Sequence, residues 1–354
     1  MDVLLSLPIL SYFFAGSMTS WSTSLNLLFF YMTWSALVLS YSPLRLELLG
    51  VFALRIVLWL VPSLLFLLFD TLLPSLAESI KHSGARALPP RNPKVLAKVL
   101  LLSITNLALE TALEAGVSLG LTVLLEHPIF RTGTTLPLPW QIVKHVALLS
   151  LGREVLTYYI HRTILHAHPL SRGGSARASR STSRVADMHA SYAHARRAPP
   201  YSLALLADHP LPFLLYRFLP SYLPALAVRP HLLTYLAFVA LTTIEETLAS
   251  SGYSVVPGIL MGGITRRAAV HCSRRGGPSS GNYGAWGVLD WAHGTSLGGR
   301  DVVDDMKDEA EKHQVKEKGE KAAGDAADAV QDGFRSWRKS RSNNGRRKKV
   351  ENSQ

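Results

Sequence analysis

The chain has 354 residues, 48% of them apolar, and a formal net charge of +12. Its apolar residues lie in runs of about 20, the length that crosses a bilayer, so a soluble nucleic-acid-binding protein is excluded despite the positive charge. The single cysteine, Cys272, excludes an intrachain disulfide and a cysteine-based metal site. Any bound metal would therefore take nitrogen or oxygen ligands.

Six apolar segments are predicted to be membrane-spanning helices, which gives an all-α, polytopic membrane helix bundle. They cover residues 22–42, 48–77, 95–124, 139–160, 201–226 and 229–250. Pro62 is expected to bend or break the second segment into one bent helix or a hairpin. Four prolines interrupt the fifth. Residues 3–16 form a further apolar segment without a basic region before it, so we expect an interfacial or re-entrant helix rather than a cleaved signal peptide.

The positive charge is concentrated in three loops between the apolar segments. The basic residues of these loops are Lys81, Arg86, Arg91, Lys94 and Lys98, then Arg162, Arg172, Arg177, Arg180, Arg184, Arg196 and Arg197, and finally Arg266, Arg267, Arg274 and Arg275. Positive loops stay on the cytosolic side of a membrane. Two predicted spans separate each basic loop from the next, so all three are expected to face the cytosol.

The chain is predicted to divide into four parts. Residues 1–80 form an N-terminal membrane anchor, residues 81–137 a loop and a transmembrane helix, and residues 138–298 a domain that carries most of the histidines. Residues 299–354 form a charged tail of nearly balanced sign, which we expect to be partly helical or disordered and to lie in the cytosol.

Eight of the 13 histidines fall within residues 161–271, next to apolar runs. Besides His231, they are His161, His166, His168, His189, His194, His209 and His271. Imidazole is the commonest side-chain metal ligand and is costly to leave unpaired beside lipid. We therefore predict a metal centre in a histidine-rich cap at the cytosolic ends of the bundle.

The individual histidines are not equivalent. For His161, His166, His189, His194 and His271, metal binding is favoured over a structural role. His168 is expected to be a solvated loop residue, His231 a structural turn residue, and His127, His145 and His293 hydrogen-bonded interfacial residues.

One helical face near the first of these histidines carries further polar groups. Glu154, Tyr158 and His161 share that face by their spacing, and the Glu154 carboxylate could hold the second ring nitrogen of a ligating histidine. His161 and His166 are five residues apart, about 140° on a straight helix, so both reach one centre only if the helix ends or loosens there.

Carboxylates inside apolar segments are expensive and often functional. Glu110 and Glu114 lie four residues apart in one such segment, and Glu245 and Glu246 lie near the end of another. Three roles stay open for them: support of the metal site or proton handling, pairing with Arg or Lys across the bundle, and direct ligation of iron.

The ordered string of motifs from about residue 138 to 296 resembles the sterol desaturase / fatty acid hydroxylase superfamily, in particular its fungal branch. Members carry three histidine boxes. The first is matched by YYIHRTILH (158–166) and the second by MHASYAHARRAPP (188–200). The histidine-proline stretch that follows is matched by DHPLPFLLYRFLP (208–220), and the segment before the last box by IEETLASSGY (244–253). The third box and its closing signature are matched by RRAAVHC (266–272) and GNYGAWGVLDWAHGT (281–295).

The chain departs from the pattern at four positions. Ala193, Ala268 and Cys272 stand where the boxes have histidine, and Ala269 stands where the third box has aspartate. The ligands that the resemblance carries over are His161, His166, His189, His194 and His271, with His209 as a candidate sixth.

The resemblance implies a membrane-bound, non-haem di-iron enzyme of the endoplasmic reticulum. Such an enzyme uses O2 to hydroxylate or desaturate a sterol or a fatty acyl lipid and takes electrons from a donor such as cytochrome b5 and its reductase. Because of the substituted ligand positions, a catalytically degenerate member that binds lipid or acts as a membrane scaffold is the alternative. A histidine-lined metal transporter is disfavoured, because its ligands would lie at mid-membrane depth.

Overall fold

The computed structural model describes residues 21–167, 184–196, 198–256, 261–273, 280–308 and 311. Regular secondary structure in these ranges is helical apart from two isolated bridges, Lys81 with Tyr253 and Arg131 with His231, so the all-α prediction is confirmed. The predictions for residues 3–16, for most of the Arg/Ser/Gly-rich segment that contains His168, and for residues 312–354 lie outside the described residues. The chain divides into a unit that ends at Val302 and a second unit from Val303, described as helical over 303–308.

Six α-helices of the described residues precede residue 161. They are α1 (Trp21–Ser40), α2 (Pro43–Arg55), α3 (Val61–Leu72), α4 (Pro74–Ile80), α5 (Pro93–Leu125) and α6 (Pro139–Ile160). A π-helical turn, Ile56–Leu60, joins α2 to α3, so that Pro43–Leu72 is one continuous helix of 30 residues. Pro62 lies two residues after the end of this turn. Because proline lacks an N–H and its ring crowds the carbonyl of the preceding turn, the wider turn accommodates it, and the segment is one helix rather than a hairpin.

Six further α-helices in the described ranges lie between residues 184 and 292. They are α7 (Arg184–Tyr192), α8 (Pro210–Phe213), α9 (Leu219–Val228), α10 (Leu232–Ala249), α11 (Met261–Cys272) and α12 (Val288–Ala292). A second π-helical turn, Leu214–Phe218, joins α8 to α9. The fifth predicted span therefore begins at Pro210 rather than at residue 201. Residues 202–204 form a 3-10 turn instead, and Pro210 takes the first position of the helix, where proline is favoured.

Four helices in the described part of the chain have the length and composition to cross a membrane. They are Pro43–Leu72, Pro93–Leu125, Pro210–Val228 and Leu232–Ala249. The first predicted span forms as α1, whose apolar part, Leu25–Ser40, is not among the four. The fourth forms as α6 but carries Lys144, Arg153 and Glu154, and it is not among the four.

Aromatic and aliphatic side chains from six elements form the main core. Its members are Trp34, Val51, Ile129, Phe130, Leu149, Phe218, Tyr222, Ala225, Leu232, Tyr235, Phe238 and Val239. Helices α6 and α9 pack closely at Gly152. A Cβ atom added at this glycine would lie only 3.0 Å from the ring of Pro224. A second core cluster around Trp59 and Phe213 lies against residues 201–206. The indole of Trp59 donates to the Ser202 carbonyl at 3.0 Å, which holds the 3-10 turn on the bundle.

Four carboxylates within the apolar helices each have a partner on a neighbouring helix. Glu110 forms an ion pair with Arg55, and Glu114 accepts a hydrogen bond from the Tyr235 hydroxyl at 3.0 Å. At the other end of α10, Arg153 pairs with Glu245 at 3.1 Å and with Glu246 at 2.5 Å. Of the roles left open by the sequence, pairing across the bundle is therefore the one that the described contacts show.

Lys81 departs from the expected solvated basic loop. Its side chain is buried, its ammonium lies 2.5 Å from Asp70 Oδ2, and the Tyr253 hydroxyl donates to Asp70 Oδ1 at 2.8 Å. Backbone hydrogen bonds from His82 to Gly252 and from Ser254 to Ile80 join the same two segments. The ion pair therefore ties the loop after α4 to the chain after α10.

We expect Lys81→Met to destabilise the fold strongly. Removing one partner of a buried ion pair leaves the other charge uncompensated, which costs about 3–5 kcal/mol. Thermal unfolding in detergent should show a lower Tm for Lys81→Met than for Lys98→Met, which removes an exposed lysine. The double variant Asp70→Asn, Lys81→Met should recover much of the loss, because the amide oxygen still accepts from Tyr253. Equal Tm values for the two single variants would contradict this account.

Candidate metal centre

Five histidines from three stretches of the chain meet at one end of the bundle. His161 follows α6 directly, His166 ends the turn after it, His189 lies on α7, His194 follows α7, and His271 lies at the end of α11. All five are buried. The convergence of these rings is what the sequence predicts for a metal centre.

A third π-helical turn, His161–Leu165, brings the first two histidines together. The backbone N–H of His166 donates to the His161 carbonyl at 2.9 Å, a bond between residues five apart. Such a bond closes a turn of the π type and places residues five apart on one face. The two ring centroids lie 4.9 Å apart. The helix therefore loosens where the spacing of the two histidines requires it.

The ligand nitrogens are close enough for one metal ion to bind several of them. One ligand atom from each of His161, His166, His189 and His271 lies within 4.8 Å of all the others. The His194 ring borders this group, with centroid distances of 5.0 Å to His166, 5.0 Å to His189 and 4.9 Å to His271.

Three of the rings are oriented by a hydrogen bond at Nδ1. His161 Nδ1 lies 2.9 Å from the Tyr283 carbonyl oxygen, His271 Nδ1 lies 2.8 Å from the Gly281 carbonyl oxygen, and His189 Nδ1 lies 2.6 Å from Asp208 Oδ2. Each partner is an acceptor, so each Nδ1 carries the proton and each Nε2 presents a lone pair. The three Nε2 atoms are buried and have no hydrogen-bond partner among the described residues. A metal-ligating histidine has this arrangement.

Burial keeps these rings in the form that binds metal. Removal from water lowers the pKa of His161 well below its ordinary value, and the neighbouring imidazoles lower it further. Removal from water also lowers the pKa of His271 to about 4, against the opposing effect of its hydrogen bond to Gly281. Both rings are thus neutral at pH 7, and neutral imidazole is the metal ligand.

The loop that supplies the two carbonyls is held by two carboxylates. Glu154 accepts from the backbone N–H groups of Ala285 and Trp286, both at 3.0 Å. Asp290 accepts from the N–H groups of Tyr283 at 2.9 Å and Gly284 at 2.7 Å. The spacing allows Glu154 to hold a ligating histidine, but its described hydrogen bonds are to this loop. It acts one step further away, because it anchors the loop whose Tyr283 carbonyl holds His161.

Tyr158 also lies behind the site rather than on a ligand. Its hydroxyl accepts from Arg162 at 2.7 Å and lies 3.2 Å from the Thr295 hydroxyl. Its ring packs edge-on against Tyr283 and near His293. It thereby supports the residue whose carbonyl orients His161.

The structure does not bring His209 to the other five rings. His209 is the N-cap of α8, where its Nδ1 accepts from the Leu211 N–H at 3.3 Å, and its ring packs against Tyr192. Its neighbour Asp208 reaches the site instead. His231 likewise caps α10. Of the other histidines given structural roles, His293 lies 3.3 Å from the Tyr159 hydroxyl, and His127 lies 2.8 Å from Arg229.

A cavity of about 360 Å³ adjoins the histidines, within the usual range of small-molecule sites. Its wall near the cluster includes Ala193, Ala268 and Cys272. Another part of the wall comes from Val95 and Val99 of α5, a candidate membrane-spanning helix. The cavity thus lies between the histidines and the apolar helices.

Residues 146–295 match the family model described as Fatty acid hydroxylase. This segment is similar to the fatty acid hydroxylase family. The matched residues, hereafter the hydroxylase segment, make up less than half of the chain. The likeness lies within the sterol desaturase/fatty acid hydroxylase superfamily. All five clustered histidines, Asp208 and the loop carbonyls of Gly281 and Tyr283 fall inside it. No solved structure matches the chain.

We expect His271→Ala to remove most of the metal bound by the purified protein, because one of four converging donors is lost. His209→Ala should keep the wild-type metal content, since that ring caps α8. Elemental analysis of metal per chain measures both, and circular dichroism checks that each variant is folded. A folded His209→Ala protein without metal would show that His209 is needed for metal binding, contrary to its role here as a helix cap.

Asp208→Asn tests the group that orients His189. The amide oxygen can still accept from Nδ1, but the negative charge that strengthens the ring as a donor is gone. Loss of such a partner typically lowers metal affinity about 10–100-fold. Competition with a chelator measures the affinity, and Asp187→Asn, which changes an exposed carboxylate on the same helix as His189, is the matched control. Equal metal affinities for the two variants would show that Asp208 does not support metal binding.

Proposed function

We propose that the chain is a membrane-bound, O2-dependent lipid hydroxylase or desaturase of lipid biosynthesis that uses non-haem iron. The observation that carries the proposal is the convergence of buried, unprotonated Nε2 atoms beside a cavity that borders apolar helices. Similarity of the hydroxylase segment to the fatty acid hydroxylase family supports the same reaction class.

Iron is the proposed metal because the donors are imidazoles, which suit iron among other transition metals, and because the family resemblance implies it. Bound iron supplies the activation of O2 that is needed to attack an unactivated C–H bond. The resemblance implies that two iron ions act together.

The protein's own residues orient the ligating nitrogens, line the substrate cavity and exclude water from it. The carbonyls of Tyr283 and Gly281 and the carboxylate of Asp208 direct the ligating nitrogens of three rings toward one point. Val95, Val99 and Phe213 give part of the cavity an apolar wall, which suits a sterol or a fatty acyl chain and keeps water from the reacting carbon.

The polar part of the cavity is held rigid by ion pairs. Arg153 is fixed between Glu245 and Glu246, and Arg217 lies 2.8 Å from Glu246. The Trp286 indole donates to Glu245 at 3.0 Å. Because these charges neutralise one another, the cavity offers no unbalanced charge at this wall, which favours a neutral, lipid-like substrate.

We further propose that residues 138–298 form the catalytic domain and that residues 1–80 serve as an anchor, with residues 81–137 between them. The histidines and the charged tail from residue 299 would face the cytosol at the endoplasmic reticulum membrane, because the basic loops favour that side. A basic cytosolic surface also suits an acidic electron donor, such as cytochrome b5 with its reductase.

The alternative is a catalytically degenerate protein that binds lipid or acts as a scaffold. The observation in its favour is that Ala193, Ala268 and Cys272, which occupy histidine positions of the boxes, line the cavity beside the cluster. Bound lipid with neither iron nor an O2-dependent product would favour this alternative.

The test of the proposal is turnover by the full-length protein in lipid nanodiscs. Iron-loaded protein is supplied with cytochrome b5, its reductase, NADH and mixed sterol and acyl lipids under isotopically labelled oxygen. Mass spectrometry should find a hydroxylated lipid that carries the label, or a desaturated lipid that forms only with O2. His161→Ala should abolish the product, and lipid profiling of a deletion strain should show the same precursor accumulating. Equal product from His161→Ala would refute the metal-dependent reaction.

A further inference from the structure

The first relevant observation is the small size of the histidine cluster. Around a single ion with metal–nitrogen bonds of about 2.1 Å, two ligands are at most about 4.2 Å apart. Two ions in a paired site lie about 3.5–4 Å from each other, and ligands that enclose both of them from opposite ends spread over about 8 Å. The ligand atoms of His161, His166, His189 and His271 all lie within 4.8 Å of one another. That spread is close to the value for one ion.

The second observation is the number of donors that the rings can offer. His161, His189 and His271 each use Nδ1 for a protein acceptor. Each of these rings therefore has a single nitrogen left for a metal and cannot bridge two ions.

The third observation concerns the carboxylates, which in paired sites bridge the ions and offset their charge. Asp208 uses Oδ2 for His189 and Oδ1 for the His209 N–H at 2.7 Å. Both oxygens of Glu154 and both oxygens of Asp290 accept from the loop around Tyr283. These three carboxylates are thus committed to other donors.

The fourth observation concerns charge. The repulsion between two divalent ions is four times that between two unit charges at the same distance. Neutral imidazoles do not offset it, and the methyl groups of Ala193 and Ala268 on the cavity wall provide no donor. A single ion avoids the repulsion and needs fewer ligands.

We infer that the hydroxylase segment binds one metal ion per chain, held by His161, His166, His189 and His271 with His194 at its edge, and not the pair that the resemblance implies. The inference rests on the proposed function for the choice of iron, and it concerns only how many ions that site holds.

Metal stoichiometry of the full-length protein tests the inference without any turnover. Protein purified in detergent is loaded with ferrous iron under anaerobic conditions, unbound iron is removed, and iron per chain is measured against amino-acid analysis. One iron per chain is expected, and the paramagnetic signal of its nitric oxide adduct should account for all of it, as for isolated ions. Two irons per chain, or none, would overturn the inference.

Single-ligand variants give a second readout that a pair of ions would not reproduce. If one ion is shared, His161→Ala and His271→Ala should each lower the iron content from one per chain toward zero. If two ions were bound separately, a variant would keep about half of the wild-type iron, which would overturn the inference. His209→Ala is the matched control and should keep one iron per chain.

The outcomes separate the inference from the proposed function. One iron per chain without an O2-dependent product keeps the inference and refutes the proposed function. Two irons per chain with such a product do the reverse.

Discussion

The histidine cluster depends on what each of the two ring nitrogens of a buried imidazole binds. An unpartnered buried polar atom costs about 1–3 kcal/mol, and the described Nε2 atoms of His161, His189 and His271 are all in that position. A typical free energy of unfolding is about 5–15 kcal/mol, so three such atoms would destabilise the metal-free protein by a large fraction of it. A bound metal ion converts the same three atoms from a cost into a source of stability.

The apolar bundle does more than hold the site in a membrane, because it also positions the acceptors. On α5, the Asn106 side chain donates to the carbonyls of Leu206 at 2.7 Å and Asp208 at 2.8 Å. One turn earlier, the Ser103 hydroxyl donates to the Leu203 carbonyl at 3.3 Å. The backbone around Asp208 is thus clamped to a candidate membrane-spanning helix. A shift of that helix would move the carboxylate that orients His189.

The sequence predicts those parts of the structure that depend on side-chain type at regular spacing. Apolar runs locate most of the helices, and five of the six candidate ligands meet. His209 does not join them, because its imidazole caps the helix that begins at Pro210. From the sequence alone, a histidine before a proline suits this capping role as well as it suits a metal ligand. Asp208 has a visible signal, a carboxylate beside a candidate ligand at the start of an apolar segment. The carbonyls of Gly281 and Tyr283 have none, since every residue carries a carbonyl.

The ion pair between Arg55 and Glu110 has a consequence for how the protein enters the bilayer. A charged residue at the centre of a lone helix raises the free energy of insertion by about 2.5–3.5 kcal/mol. Arg55 lies in the first candidate span and Glu110 in the second, so neither charge has its partner when its helix is alone. The favourable route during synthesis is for the first helix to wait at the translocon until the second emerges, and for the two to move into lipid together.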